Sequence, residues 1–214
     1  MTPCSCQRTA HGTRLVAITG GPGAGKTAVL EVVRRDFCEH VAVLPEAASV
    51  LFTGGFPRRA TDPARRSAQR AIFHGQVEME RMLLADQRAA VVLCDRGTLD
   101  ALAYWTGTPD ELWADVGSSE ARELARYAAV IHLRTPAAGQ GYDHANPVRI
   151  ETAEEASAID QRILTAWAQH PHRTIVENRV AFLGKLEATI EAIRREVPAC
   201  CRGHRIDPVP TSSG

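Results

Sequence analysis

One run of eight residues constrains the fold of this 214-residue chain more than any other feature. Residues 20–27 read GGPGAGKT: a glycine, four further residues, then glycine, lysine and threonine. The glycines permit backbone conformations closed to other residues, so several N–H groups can turn inward onto one anion. Lys26 can then reach the β- and γ-phosphates of a nucleotide, and the Thr27 hydroxyl can ligate Mg²⁺. The run predicts a site for ATP or GTP with Mg²⁺.

The surroundings of this glycine-rich run match what phosphate binding requires. The apolar run Leu15–Thr19 reads as a buried strand, and the helix after the loop carries Leu30, Val33 and Phe37 on one face. A helix that begins at Lys26 adds the positive end of its dipole to the site. The position between strand and helix argues against a chance glycine-rich turn. The predicted nucleotide contacts are Gly20, Gly21, Pro22, Gly23, Ala24, Gly25, Lys26, Thr27 and Ala28.

Short apolar runs predict four more strands, each with a helical pattern before the next. The strands are Val41–Leu44, Val91–Cys94, Ala128–Leu133 and Thr174–Val176. The helices are Ala47–Phe52, Asp62 to about Arg88, a broken region from Thr98 to about Arg126, one that starts at Thr152, and one from Phe182 to Val197. Asp62 is expected to cap its helix, with Pro63 in the first turn. This alternation predicts an α/β domain with a parallel sheet covered on both faces.

The length suits one domain, which we place at residues 14–197 between an N-terminal tail, 1–13, and a C-terminal tail, 198–214. Residues 134–150 hold two prolines and two glycines and are predicted to form a lid. Residues 53–61 are predicted to form a second loop.

Charge and hydropathy limit the expected partners. The chain has 25 basic and 25 acidic residues, so it has no overall field to attract nucleic acid or an anionic membrane. No apolar run approaches the roughly 20 residues that span a bilayer, and Met1–Ala10 lacks the apolar core of a signal peptide. We therefore expect a cytoplasmic protein without a membrane or nucleic-acid partner. The oligomeric state stays open, with a homodimer as one option.

Two acidic residues follow predicted strands and are candidates for catalysis. Asp95 ends the third strand, where ligands bind in open α/β sheets, so its carboxylate is expected near Mg²⁺. Arg96 is a candidate phosphate contact, the alternative being a surface ion pair with its neighbour. Glu46 follows the second strand and is a candidate to accept the proton of an acceptor hydroxyl, the alternative being a helix N-terminal residue favoured by the dipole.

Phosphoryl transfer concentrates negative charge on the migrating group, so cations are expected around it. Arg134 and Arg149 flank the predicted lid and are the candidates, unless they are solvated loop residues. Arg58 and Arg59 in the second loop are candidates for contact with an anionic acceptor. The aromatic residues Tyr104, Trp105 and Trp113 are read either as base-stacking residues or, preferably, as part of the core.

The cysteines and histidines give no clear metal site. Six cysteines are too dilute for a disulfide scaffold, and Cys38 and Cys94 fall in apolar patterns. A zinc site is an alternative for the cysteines near the two ends, although adjacent cysteines strain a tetrahedral site. Its ligands would be Cys4, Cys6, Cys200 and Cys201, with His204 as a further donor. The eight histidines are scattered.

With the loop at residues 20–27, the Asp95-Arg96-Gly97 triplet and the lid followed by a helix, the chain resembles the nucleoside- and nucleotide-kinase branch of P-loop proteins. It looks most like the AAA-type ATP-binding domains grouped with ribosylnicotinamide kinase and thymidylate kinase. The resemblance implies the P-loop NTPase fold, with a five-stranded parallel sheet in the order 2-3-1-4-5. It implies that Lys26, Thr27, Asp95 and Arg96 have the family's roles, and that Glu46 matches its carboxylate after strand two.

The favoured hypothesis is a kinase that uses Mg-ATP to phosphorylate a small nucleoside- or nucleotide-like molecule. In it, Lys26, Glu46, Asp95, Arg96, Arg134 and Arg149 are catalytic, and Thr27 and Asp95 hold the metal. One alternative is an NTP hydrolase, in which water replaces the acceptor. Another is a nucleotide-dependent switch that binds a protein partner through residues 53–61.

Overall fold

The computed structural model describes residues 12–136, 152–179 and 181–201. Strands and helices alternate through these residues. The strands are β1 (Arg14–Thr19), β2 (Val41–Leu44), β3 (Val91–Asp95), β4 (Ala129–Leu133) and β5 (Arg173–Val176). The α-helices are α1 (Lys26–Asp36), α2 (Ala47–Thr53), α3 (Asp62–Asp86), α4 (Pro109–Val116), α5 (Glu120–Leu124), α6 (Ala153–Ala166) and α7 (Phe182–Glu196). Short 3-10 helices cover Thr98–Ala103 and Ala199–Cys201.

The strands form one parallel sheet in the order β2-β3-β1-β4-β5. This confirms the expected fold class and strand order. The central strand β1 pairs with β3 on one side, Ile18 opposite Asp95, and with β4 on the other, Thr19 opposite His132. Because all strands run the same way, the ends of β1, β3 and β4 meet at one edge of the sheet. The glycine-rich loop and Asp95 lie at that edge.

Alternate residues of the strands supply two separate cores. On β1, Leu15 and Ala17 pack with Val92 and Trp167 on one face. On the other face, Val16 and Ile18 pack with the apolar side of α1 and α7. Both faces of the sheet are thus buried, which explains why the strands are continuous apolar runs without alternation.

The helix ends follow local sequence signals. Thr152 and Glu155 form the expected capping box at α6, and Thr108 and Glu111 form a second one at α4. Gly117 ends α4 with a left-handed φ of 66°. The predicted helical region from Thr98 is therefore interrupted, as expected, by these turn residues.

The predicted cap of α3 is wrong by one residue. Thr61, with extended backbone, occupies the N-cap position, and its carbonyl accepts a hydrogen bond from the Arg65 N–H at 2.9 Å. Asp62 and Pro63 are then the first two residues of the helix, where a carboxylate favours the dipole and a proline loses no hydrogen bond.

Most of the predicted tails and of the predicted lid fall outside the described residues, but Ala199–Cys201, within the predicted C-terminal tail, forms a 3-10 helix with Cys201 buried. None of the helices in the described ranges combines the length and the apolar character needed to cross a membrane.

The difference in burial between the centre and the edge of the sheet can be tested by replacing an isoleucine with alanine in each. Ile131→Ala in β4 removes a side chain that is 1% exposed, and should lower the free energy of unfolding by about 3 kcal/mol through lost transfer energy and a cavity. Ile175→Ala in the edge strand β5 is the matched control, because that side chain is 39% exposed, and should cost less than about 1.5 kcal/mol. Urea unfolding measures both. Equal losses would contradict the sheet order.

Candidate functional site

The glycine-rich loop joins β1 to α1 through backbone conformations that favour glycine. Gly20, Gly23 and Gly25 have φ values of 132°, 76° and 93°. A Cβ added at Gly20 would lie 2.0 Å from the carbonyl oxygen of Leu133 at the end of β4. The loop is therefore pressed against the neighbouring strand, and no side chain fits between them.

Lys26 begins α1, and its side chain folds back into the loop. Its Nζ donates hydrogen bonds to the carbonyl oxygens of Gly20 at 2.9 Å and Gly21 at 3.2 Å. Burial, aided by the positive charge of Arg96, lowers the pKa of Lys26 to about 8, although Asp95 and Glu46 oppose the shift. The ammonium group is thus held by two loop carbonyl oxygens in a buried place, where an anion would stabilise its charge.

Thr27 and Ala28 follow in the first turn of α1, and both are exposed. The helix runs for 11 residues behind them, so the positive end of its dipole faces the loop. This arrangement leaves the Thr27 hydroxyl open to a ligand.

Asp95, the last residue of β3, has a buried carboxylate oxygen. Its Oδ1 has no hydrogen-bond partner within the described ranges. Burial raises the pKa of Asp95, opposed by the charge of Lys26. A desolvated carboxylate oxygen without a donor suits a hard cation, so the residues present here fit Mg²⁺.

Arg96 adopts a left-handed backbone, with φ of 73°, and its guanidinium lies between two carboxylates. Its Nε is 2.5 Å from Glu46 Oε1, and its Nη1 is 3.2 Å from Asp100 Oδ2 and 3.3 Å from the Gly20 carbonyl oxygen. The guanidinium also lies over the Tyr104 ring, 5.5 Å from its centre. Arg96 therefore fastens β3 to the loop and to the start of α2.

Glu46 is the N-cap residue of α2 and stays ionised in this setting. Burial alone would raise its pKa, but Arg96, a hydrogen bond from Ser49 and the charge of Lys26 outweigh burial and lower the pKa to about 2. The carboxylate is thus a hydrogen-bond acceptor and a weak base. Glu46 stands at a helix start, as one of its two interpretations expected, and it faces the other charged groups; its role toward an acceptor hydroxyl stays a prediction.

Asp100 was missed in the sequence. Its side chain, within the first 3-10 helix, is 3% exposed and accepts hydrogen bonds from Thr19 Oγ1 and Trp167 Nε1, each at 2.6 Å. It also pairs with Arg96. The only local signal was an aspartate in an otherwise apolar segment, TLDALA.

Asp160 on α6 is a second residue that sequence reasoning missed. Its Oδ1 accepts hydrogen bonds from the Gly21 N–H and from His132 Nε2, both at 2.9 Å. Its Oδ2 lies 3.2 Å from Arg134 Nε. Burial opposes ionisation, but the hydrogen bonds from His132 and Gly21 dominate and lower the pKa of Asp160. One buried carboxylate therefore connects α6, β4 and the loop.

The structure brings most of the predicted site residues together. Lys26, Glu46, Asp95 and Arg96 lie at one end of the sheet, where their charges influence one another. Arg134 lies against Asp160, and Arg149 is outside the described residues.

A cavity of about 1030 Å³ opens beside this charged group. Pro22, Glu46 and Arg96 form its border with the loop. Basic and aromatic side chains line much of the remainder: Arg58, Arg59, Arg65, Arg162, Phe52, Phe73, Tyr104 and Trp105. Trp105 and Trp113 both pack in the core, with exposures of 9% and 7%, as the preferred interpretation of these residues expected.

Comparisons with known proteins agree with the fold. A family model described as an AAA domain matches residues 15–182. Thymidylate kinase from Candida albicans is similar in structure, with a TM-score of 0.56 and 12% identity over 89% of this chain and 96% of the kinase chain. At that identity the likeness shows a shared fold. The comparison with curated proteins gives no match.

The charge pair at the border of the cavity predicts a pH-dependent stability. Because the pKa of Glu46 is lower in the folded chain than its ordinary value of 4.5, its contribution is complete above pH 4.5 and is lost as pH falls toward 2. Glu46→Gln should therefore cost on the order of 2 kcal/mol at neutral pH, discounted for partial exposure, and roughly half of that or less near pH 3.

Denaturant unfolding at several pH values measures this difference. The control is Glu78→Gln, whose ion pair with Arg81 is largely exposed, and which should show no comparable pH dependence. A Glu46→Gln deficit that stays constant across the acid range would contradict the assignment.

Proposed function

The chain belongs to the AAA domain family, and on that premise we propose that it is a kinase that transfers the γ-phosphoryl group of ATP to a small-molecule acceptor. The observation that carries the proposal is the cavity beside the glycine-rich loop. Hydrolysis needs room for one water molecule next to the terminal phosphate. A space of about 1030 Å³ that reaches the loop at Pro22 offers room for a whole second substrate.

In this proposal the triphosphate lies along the loop backbone and the start of α1. Backbone N–H groups within residues 20–28 and the Lys26 ammonium bind its oxygens; Pro22 has no N–H, and the Gly21 N–H instead bonds to Asp160. The Thr27 hydroxyl and the Asp95 carboxylate hold Mg²⁺, which when bound neutralises charge on the phosphates. The Oδ1 of Asp95, which has no hydrogen-bond partner among the described residues, supports this assignment.

Glu46 orients the hydroxyl of the acceptor. With a pKa of about 2 it is too weak a base to remove a hydroxyl proton before transfer. In a loose transition state little proton removal is needed until the new bond forms, so a fixed hydrogen-bond acceptor is sufficient. Arg96 holds the Glu46 carboxylate in place and puts a cation near the loop.

Arginines supply further positive charge. Arg96 contacts the loop, with Nη1 3.3 Å from the Gly20 carbonyl oxygen. We propose that Arg134 leaves Asp160 for the phosphates when nucleotide is present, and that Arg149 joins it. These roles rest on the need to neutralise the migrating group.

The lining of the cavity indicates the class of acceptor. Arg58, Arg59, Arg65 and Arg162 favour a molecule that already carries negative charge, and the rings of Phe73 and Tyr104 favour one with a flat or apolar part. A nucleoside- or nucleotide-like acceptor has both features. ATP and Mg²⁺ are cytoplasmic, and we propose that the protein acts there.

The first experiment measures ADP release from Mg-ATP with a panel of nucleosides, nucleoside monophosphates and vitamin-like alcohols. The proposal expects at least one acceptor to raise the rate well above the rate in water alone. Lys26→Ala should lower that rate by about a hundredfold or more and leave the fold intact, because one preorganised charge is lost from the transition state.

Two results would contradict the proposed kinase activity. Full activity of Lys26→Ala would show that the glycine-rich loop takes no part in phosphoryl transfer. Equal phosphate release with and without every acceptor would favour the hydrolase, whereas a nucleotide-dependent pull-down without turnover would favour the switch.

The buried ammonium gives a second test, because nucleotide binding should be linked to proton uptake. Lys26 has a pKa of about 8 without nucleotide, and a triphosphate beside it would raise that value. At about pH 8.5 binding should take up roughly half a proton or more, so affinity should fall as pH rises. Calorimetry in buffers of different ionisation enthalpy measures the uptake.

Lys185→Arg is the matched control. Burial also lowers the pKa of Lys185 to about 8, but its Nζ bonds to the Arg134 carbonyl and to Asn178 Oδ1. The control should keep the proton uptake, whereas Lys26→Arg should abolish it because arginine is always charged. Uptake that disappears with Lys185→Arg and survives Lys26→Arg would refute the assignment.

A further inference from the structure

A cluster of potential metal ligands lies at the opposite end of the sheet from the glycine-rich loop. Within the residues that the structure describes, Cys38, His40 and Cys201 bring one ligand atom each to within 4.8 Å of one another. All three are buried, with exposures of 1%, 7% and 3%. We propose that they bind a Zn²⁺ ion that joins the C-terminal segment to the start of β2.

The separations suit this ion. His40 Nδ1 lies 3.3 Å from Cys201 Sγ. Tetrahedral zinc with ordinary bond lengths places sulfur and nitrogen ligands about 3.6 Å apart and two sulfurs about 3.8 Å apart. An ion at the centre of the cluster therefore requires shifts of a few tenths of an ångström at the measured Nδ1–Sγ pair.

The ligand types also suit zinc. Two thiolates and one imidazole form a borderline-soft set, which zinc favours over magnesium or calcium. The cluster lies among apolar neighbours, which include Phe37, Val41 and Val197. One ion at the centre would contact all three groups within these apolar surroundings.

The backbone holds two of the ligands firmly. Cys38 and His40 lie between α1 and β2, and the His40 carbonyl accepts hydrogen bonds from Ala90 N–H at 2.8 Å and Val91 N–H at 3.1 Å. Cys201 is the last residue of the second 3-10 helix. Three ligands leave the fourth tetrahedral position for water or a further donor.

The place in the fold indicates a structural role. His40 immediately precedes β2, so the cluster lies at the amino ends of the parallel strands, whereas the glycine-rich loop follows the carboxyl end of β1. The zinc would cross-link residues about 160 positions apart, which constrains the unfolded chain as well as the folded one.

The test uses the full chain, produced without a histidine tag in zinc-containing medium and purified under reducing conditions. Elemental analysis should find about one zinc per chain. Cys38→Ser and Cys201→Ser should each lose most of it, while Cys94→Ala, at the opposite end of the sheet, should keep it. Chelation should lower the Tm of the wild type by about 4 °C or more and leave that of Cys38→Ser unchanged.

Cobalt substitution keeps the proposal testable if a serine variant does not fold. Equimolar Co²⁺ added to metal-free wild type should give thiolate charge-transfer bands in the near ultraviolet, and ligand-field bands typical of a tetrahedral ion. Zinc-free wild type that gives no such bands would overturn the proposal, and so would zinc that persists when Cys38 and Cys201 are both serine.

Discussion

The mutual neutralisation of buried charges at the carboxyl edge of the sheet is the constraint on which the site depends. Lys26, Glu46, Asp95, Arg96 and Asp100 come together there, and each is at least partly withdrawn from water. Isolated, any of them would be costly to bury, but as a group two cations face three carboxylates. The group has a surplus of negative charge that a divalent cation would cancel. That surplus is least satisfied at Asp95 Oδ1, which has no hydrogen-bond partner in the part of the chain that the structure describes.

The loop is held from three sides by groups that leave its N–H donors little freedom. Gly20 abuts the Leu133 carbonyl, Gly21 donates to Asp160, and a Cβ at Gly25 would lie 2.7 Å from the Phe182 ring. The folded chain therefore fixes the loop without a ligand. Preorganisation of this kind lowers the cost of ordering that an incoming anion would otherwise have to meet.

Local signals in the sequence were enough for the elements and for the centre of the site. The strand order followed from the family resemblance, and the glycine-rich run located the loop because strand, loop and helix are contiguous. The cap of α3 was misplaced since Thr61 and Asp62 are both good cap residues and only backbone geometry chooses between them. Element type was thus more predictable than exact ends.

Long-range partners were beyond the sequence. Asp160 reaches Gly21 across 139 positions, and Asp100 reaches Trp167 across 67, so neither contact leaves a local pattern. The cluster of Cys38, His40 and Cys201 was missed for the same reason, because the histidines were judged by their spacing along the chain. Cys4, Cys6 and His204, considered as zinc ligands with Cys200 and Cys201, lie outside the described residues.

The left-handed backbone of Arg96 has an evolutionary consequence. A non-glycine residue there carries a strain on the order of 1 kcal/mol, which glycine would relieve. Yet glycine would also leave Glu46 and Asp100 buried without their shared cation, a larger loss. Neither Arg96→Gly nor the loss of one carboxylate alone is expected to raise the stability of the fold. We therefore expect substitutions at positions 46, 96 and 100 to be epistatic, so that these positions change together or are retained.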